Sequence, residues 1–294
     1  MITGAAHGIG YSFALEAVRR GMKLALVDID APALEAVAAE CREMGAEVLT
    51  CETDVSVYEE AKASVQATMD RYGQIDVLFA NAGIATAGSI LHIPIRDWEW
   101  ALAVNTMGIV HYVHEVLPIM EAQKTPAHLM CTASIAGLRA GMAINPPYFC
   151  SKHAAVSVAE SVKAEVESCG LDIGVSVFCP MYVATDIDNC EAHRPARFWD
   201  DADPFYSSQE YLSAREAFHQ NIAGGMPLEH IGARLFKAIE DNQMYIVTHT
   251  ETIPYIESRH RKIEEDAKRE LTIQEYYCSA IMSGMMHGTS QHRP

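Results

Sequence analysis

Positive charge is scarce in this chain. Its 22 Lys and Arg face 39 Asp and Glu over 294 residues, a formal net charge of −17. A surface of that sign repels phosphate backbones and anionic headgroups, which argues against nucleic-acid and membrane-surface roles. Long hydrophobic runs are missing too. The most apolar stretch, 75–95, is interrupted by Asp76, Asn81 and His92, short of the roughly 20 uninterrupted residues of a membrane helix. No basic segment followed by an apolar one opens the chain, so no secretory signal is expected. The eight cysteines include no Cys-x-x-Cys pair, and the chain is larger than disulfide-stapled secreted domains. Free thiols in a reducing compartment are therefore expected, and with them a cytoplasmic location. Linker-like runs of Gly, Ser or Pro and internal repeats are lacking. At 49% hydrophobic and 21% charged residues, the composition is that of a globular protein with a sizeable core.

What is present is alternation. Short β-branched or apolar runs at 23–28, 46–52, 77–80, 127–132 and 174–179 are separated by helical patterns at 9–21, 31–44, 57–72, 96–122 and 148–169. Repeated βαβ units of this kind predict an α/β fold, a Rossmann-like doubly wound parallel sheet in three layers. After Ile187 the regularity stops. An aromatic insertion follows, containing Phe198, Trp199, Phe205, Tyr206, Tyr211 and Phe218, before a further helix (227–241) and strand (244–248). Long insertions in compact domains often cover binding sites, so 186–226 is expected to be a substrate lid. Residues 1–250 read as a single domain, and 251–294 as a charged helix and a tail.

Four features carry chemistry. Thr3-Gly4-Ala5-Ala6-His7-Gly8-Ile9-Gly10 heads the first helix, where glycines allow close backbone approach to a pyrophosphate and the helix N-terminus offers unpaired N–H groups. Asp28 ends the next strand, placed to accept hydrogen bonds from an adenosine ribose. Tyr148 and Lys152, at i and i+4, share one helical face. There an ammonium can lower a phenol pKa from about 10 toward working pH, as general acid–base chemistry requires. Ser134 follows the strand at 127–132, at the carboxyl edge where such sheets bind ligands. Taken singly, these also read as a plain turn, a strand-end cap, a surface pair and a cap serine.

Together, in this order, they make the chain strongly resemble the short-chain dehydrogenase/reductase family, through most of residues 1–250. The resemblance extends to Asp54-Val55, which in the family contact adenine, and to Asn81-Ala82-Gly83, its N-A-G. It extends also to Asn105, the family's relay-water position, and to Pro180 with Val183-Ala184-Thr185, which contact the nicotinamide carboxamide. It implies hydride transfer between nicotinamide and a carbinol or carbonyl carbon. Tyr148 would exchange the alcohol proton, Ser134 hold the oxygen, Lys152 lower the phenol pKa and bind ribose, and Asn105 anchor the water. Domain 1–250 is then both dinucleotide-binding and catalytic.

Asp28 favours NAD over NADP, because it repels a 2′-phosphate and Ile29 offers no compensating cation. The substrate pocket is expected to include Ile135, Met142, Met181, Tyr182 and Trp199 and to suit a bulky apolar or aromatic secondary alcohol or ketone. Steroid or secondary-metabolite ketone reduction is the alternative, and a catalytically silent dinucleotide sensor is the reading from another class. The segments 194–198 and 240–249 look like a branch that includes bacterial Cα-dehydrogenases of lignin-derived alcohols. A homodimer or homotetramer is expected through helices 96–122 and 148–169, with Leu102, Ile109, Val113, Val116, Val156, Val158 and Val162 on the contact faces. No metal is expected; His111, His114 and Cys150 read as packing residues. Two departures stand out: Met181 replaces the family's usual Gly, and only Met1 and Ile2 precede Thr3. A central strand needs more than that, so about five or more further residues are expected before Thr3 in the native chain.

Overall fold

The computed structural model describes residues 1–269. Seven strands form one parallel sheet: β1 (Ile2–Thr3), β2 (Leu24–Asp28), β3 (Val48–Glu52), β4 (Val77–Ala80), β5 (Ala127–Thr132), β6 (Ile173–Cys179) and β7 (Tyr245–Val247). Their spatial order is β3-β2-β1-β4-β5-β6-β7, so the winding reverses between β1 and β4. The carboxyl ends of those two strands are where such a sheet opens a crevice. Both faces are covered, which is why the inner strands read as unbroken apolar runs. One core cluster packs Leu78, Leu129, Val175 and Val177 under Trp100, Tyr112 and Val116. The other packs Leu26, Phe79, Met130 and Phe178 under Phe13, Leu34 and Leu235.

Short as it is, β1 pairs on both sides: Ile2 with Leu26 and Phe79, Thr3 with Val27. Helices α1 (Gly8–Arg19), α2 (Ala31–Glu43) and α3 (Tyr58–Tyr72) fall where the helical periodicity puts them. The pattern at 96–122 does not yield one helix. It yields α4 (Ile95–Leu102), one π-helical turn (Ala103–Met107) and α5 (Gly108–Gln123). Asn105, fully buried in that turn, bonds backbone and side-chain partners outside its own helix, and π turns accommodate such an inserted residue. Helix α6 (Pro146–Ser168) starts on two prolines, as a first helical turn permits.

The expected contact faces of α4–α6 are corrected by burial. Ile109, Val113, Val116, Val156 and Val162 lie in the core against the sheet, because they are the inward faces of helices covering it. Of the seven residues, only Leu102 is exposed, with Met107 and Ile95 nearby. Cys150, read as a packing residue, is exposed as well.

The insertion contains three short 3₁₀ turns and helix α7 (Gln209–Ala223), and α8 (Ile231–Glu240) returns the chain to β7. Residues Met1–Thr252 form one compact unit; α9 (Ile253–Ala267) belongs to another and carries i,i+4 ion pairs such as Lys262–Asp266. The expected tail, 279–294, lies outside the described residues. Among those residues, no helix is long and apolar enough to cross a membrane.

The turn from β1 to α1 depends on Gly10. A Cβ there would lie 1.9 Å from the Gly4 carbonyl oxygen. Gly10→Ala is expected to lower unfolding free energy by about 3 kcal/mol or more, measured by urea denaturation. Gly141→Ala, whose Cβ would meet nothing within 4 Å, should stay within about 0.5 kcal/mol of wild type.

Candidate active site

The carboxyl ends of the strands open into a cleft with a cavity of about 300 Å³. At its base, Thr3 and Asn81 lock the strand ends together. The Asn81 side-chain amide donates to the Thr3 and Gly4 carbonyls at 3.1 and 3.2 Å, and its Oδ1 accepts from the Thr132 hydroxyl at 3.0 Å. The N–H groups of Asn81 and Ala82 in turn donate to Thr3 Oγ1. Gly4 and Gly8 hold positive φ of 62° and 52°, so the turn exposes backbone where a side chain would intrude. Gly4, His7, Gly8, Ile9, Asn81, Ala82 and Gly83 line the cleft. Gly10 does not, since it is spent on close packing beneath Gly4.

Asp28 is held at the end of β2 by the backbone N–H groups of Ala6, at 2.9 Å, and Asp30, at 3.1 Å. Asp54 and Val55 reach the cleft from the end of β3. Pro180, Val183 and Thr185 form the opposite side after β6, with Thr185 packed close on Gly8. Met181 lines the cleft and donates its N–H to Thr248 Oγ1 at 3.3 Å.

Ser134, Tyr148 and Lys152 meet on one wall. Ser134 satisfies both of its readings, because its hydroxyl caps the 3₁₀ turn at 135–137, accepting from Ala136 N–H at 3.1 Å, while the residue faces the cavity. Lys152 is buried and donates to the Thr132 carbonyl at 3.0 Å, with its Nζ 5.6 Å from the Tyr148 ring centre. Asn105 sits behind it. Its Oδ1 accepts from Ile84 N–H at 2.8 Å, and its amide donates to the Ile84 carbonyl and Ser151 Oγ at 3.0 and 2.9 Å.

Burial acts on both ends of this wall. Withdrawal from water pushes the Tyr148 pKa up to about 12, with the Ser134 hydroxyl opposing only part of the rise. The same burial pulls Lys152 down to about 8, so withdrawal from water moves both members of the pair toward their neutral forms.

Ile135, Met142, Met181 and Tyr182 line the same cleft. Trp199 is not among the lining residues: it stacks on Tyr206 at 4.5 Å and bonds Asp201. The wall is completed by Phe218 and Ile222, one helical turn apart on α7, together with Ile144, Phe149 and Cys190. The i,i+4 apolar pair was a readable signal inside the insertion; Cys190 gave none. His7, Asp186 and His193 bring ligand-type atoms within 4.8 Å of one another at the cleft edge. The other histidine pair is tied up in packing: both rings lie against Tyr58, and His111 Nδ1 bonds the Val55 carbonyl at 3.0 Å.

A switch-point cleft with a glycine turn, a strand-end carboxylate and a Ser-Tyr-Lys wall is that of a dinucleotide-dependent oxidoreductase, and comparison with known proteins agrees. The family model for short chain dehydrogenases matches residues 1–195. A "CLA biosynthesis dehydrogenase/reductase" of Lactiplantibacillus plantarum is 42% identical over 274 residues, covering 92% of this chain and 95% of that protein. A "C alpha-dehydrogenase" of Sphingobium sp. is 28% identical over 89% of this chain and 84% of that protein. A Burkholderia phymatum short chain dehydrogenase/reductase, solved in complex with NAD, superposes with a TM-score of 0.86 at 33% identity, covering 92% and 96% of the two chains. The chain belongs to the short-chain dehydrogenase family. It is an oxidoreductase of CH–OH donors that binds a nicotinamide dinucleotide.

The lowered Lys152 pKa has a signed consequence. Unfolded, the amine binds a proton up to about pH 10.4; folded, only to about 8. Between these values the unfolded state binds more protons, so the folded state gains stability as pH rises. Relative to Lys152→Met, wild type should gain about 2 kcal/mol between pH 8 and 10, read as the difference between their urea unfolding curves.

Proposed function

We propose that this enzyme interconverts a bulky apolar secondary alcohol and its ketone with NAD(H). The observation that carries this is that one cavity is lined by Ser134, Tyr148 and Lys152 together with the apolar or aromatic side chains of Met142, Met181, Tyr182, Phe218 and Ile222. When bound, the nicotinamide supplies or accepts the hydride. Ser134 orients the substrate oxygen and Tyr148 moves its proton. With its pKa pushed up to about 12 by burial, Tyr148 is a protonated acid able to protonate an oxygen that gains charge as a ketone is reduced. Oxidation needs the phenolate, so Lys152 must be charged beside it and bind the ribose. Asn105 fixes Gly83 and Ile84 next to Lys152, and a second lone pair on its Oδ1 serves the relay water.

Residues 1–250 act as one dinucleotide-binding and catalytic domain with 186–226 as the substrate lid. Met142 and Ile144, both about half exposed, mark its mouth. The relative named for CLA biosynthesis is more similar over the whole chain than the Cα-dehydrogenase, which favours the broad apolar class over aryl alcohols in particular. The enzyme acts in the cytoplasm. It forms a homodimer or homotetramer, for which the remaining support on α4 and its π turn is the exposed set Ile95, Leu102 and Met107.

NAD is preferred because the Asp28 carboxylate lines the cleft at the ribose end with only Ile29 beside it, where a 2′-phosphate would meet a like charge and no cation. The NAD-bound Burkholderia structure supports this choice. Asp28→Ala with Ile29→Arg should move the kcat/KM ratio toward NADP; an unmoved ratio would contradict the assignment. Tyr148→Phe should lower kcat by about 10²–10⁴-fold while NADH affinity, followed by fluorescence titration, changes less than about threefold. Turnover over a panel of apolar, benzylic and steroid alcohols tests the substrate class, and a preference for sugars would overturn it.

A further inference from the structure

The insertion reaches past the substrate half of the cleft. Within five residues it lays three basic side chains on three carboxylates, each from a different βα unit. His193 Nε2 lies 3.5 Å from Asp30, just after β2. Arg194 pairs with Asp97 on α4, and both side chains are 1% exposed. Arg197 donates from Nη2 to Asp54 Oδ2 and Ser56 Oγ, both at 2.5 Å, beyond the end of β3.

Arg194 is the fixed point of this segment. Its guanidinium is boxed by Trp100, Trp199 and Tyr206 at 4.6, 5.0 and 5.3 Å from the ring centres. Tyr206 also donates to Asp97 at 2.6 Å. Nε and Nη1 of Arg194 have no hydrogen-bond partner among the described residues; the aromatic faces take that place, as cation–π geometry allows. One 3₁₀ turn later (Ala196–Phe198), Arg197 emerges half exposed over Asp54. Asp54 lines the cleft beside Thr53, Val55 and Ile29, at the end opposite the Ser-Tyr-Lys wall. On the near side, His193 faces His7 of the glycine turn with ring centres 5.8 Å apart, and His7 itself bonds Asp30 at 3.0 Å.

We infer that segment 193–197 is a strap that closes the adenosine end of the cleft, and that Arg197 is a positioning residue of that end, acting through Asp54. Arg197 lies on the Phe198 ring at 4.6 Å and, bridging Asp54 and Ser56, fixes the Asp54 carboxylate that lines the cleft. Arg194 is a positioning residue that acts through the aromatic box. The dinucleotide is held beneath the strap and leaves when the Arg197 contact opens. This rests on the reading that the cleft binds a nicotinamide dinucleotide.

The test uses the full chain and two fragments: ADP-ribose, which contains the adenosine half, and reduced nicotinamide mononucleotide, which lacks it. In Arg197→Ala, calorimetric affinity for ADP-ribose should fall at least tenfold, and stopped-flow NADH release should accelerate at least fivefold. Affinity for the mononucleotide should change less than twofold, and Arg197→Lys should recover part of the ADP-ribose loss. Unchanged or tighter ADP-ribose binding in Arg197→Ala would overturn the assignment, as would an equal loss for the mononucleotide, which a general distortion would produce. Failure of wild type to bind NADH at all would instead refute the underlying cofactor reading.

Discussion

The site depends on one close approach of backbone to backbone. At the point where the sheet's winding reverses, the Gly4 carbonyl is pressed against Gly10 with no room for a Cβ, and Asn81 bridges the ends of β1, β4 and β5 through both ends of its amide. These bonds are buried at strand termini that have no sheet partners of their own, so the polar groups must be satisfied locally or cost stability. Their geometry sets where the glycine turn faces. Thr132, whose hydroxyl bonds Asn81, receives the Lys152 ammonium on its carbonyl. The glycine turn and the Ser-Tyr-Lys wall are thereby fixed to the same few atoms.

The second constraint is electrostatic. Lys152 is buried with a carbonyl as its bonded partner, and burial moves it and Tyr148 toward their neutral forms. Anything that brings negative charge near Lys152, or positive charge near Tyr148, moves both pKa values back toward their ordinary range. The pair is therefore tuned by what enters the cleft.

The sheet was legible in the sequence because strands covered on both faces are nearly pure apolar runs, and the helices between them keep a 3.6-residue period. The Gly4–Gly10 turn, Asp28, Ser134, Tyr148 and Lys152 were legible because each sits at a strand or helix terminus, where spacing along the chain maps onto position in space. Three things were not. The π turn at 103–107 is decided by where the Asn105 side chain finds partners, 21 and 46 residues away, and local periodicity does not register it. The direction of the Tyr148 pKa is decided by burial, which an i,i+4 spacing does not encode. The fate of the aromatic residues in the insertion is decided by Arg194: its boxed guanidinium draws Trp199 and Tyr206 into packing and leaves the cavity wall to Phe218 and Ile222.

A chain of charge −17 that binds a dinucleotide must create a locally favourable field for two phosphates. Part of it comes from α1. His7 occupies its N-cap position without a side-chain cap, so the first N–H groups and the positive end of the helix dipole face the cleft. Capping by Ser or Asp, the usual stabilising choice, would fill that place with an oxygen. The other nearby partial charges come from the insertion, whose histidine and arginines are already bonded to Asp30, Asp97 and Asp54. Those carboxylates hold the basic groups in place and also lower the net charge each presents. The geometry thus favours orientation over raw attraction, and it admits a ligand with a pyrophosphate at one fixed point more readily than polyanions in general.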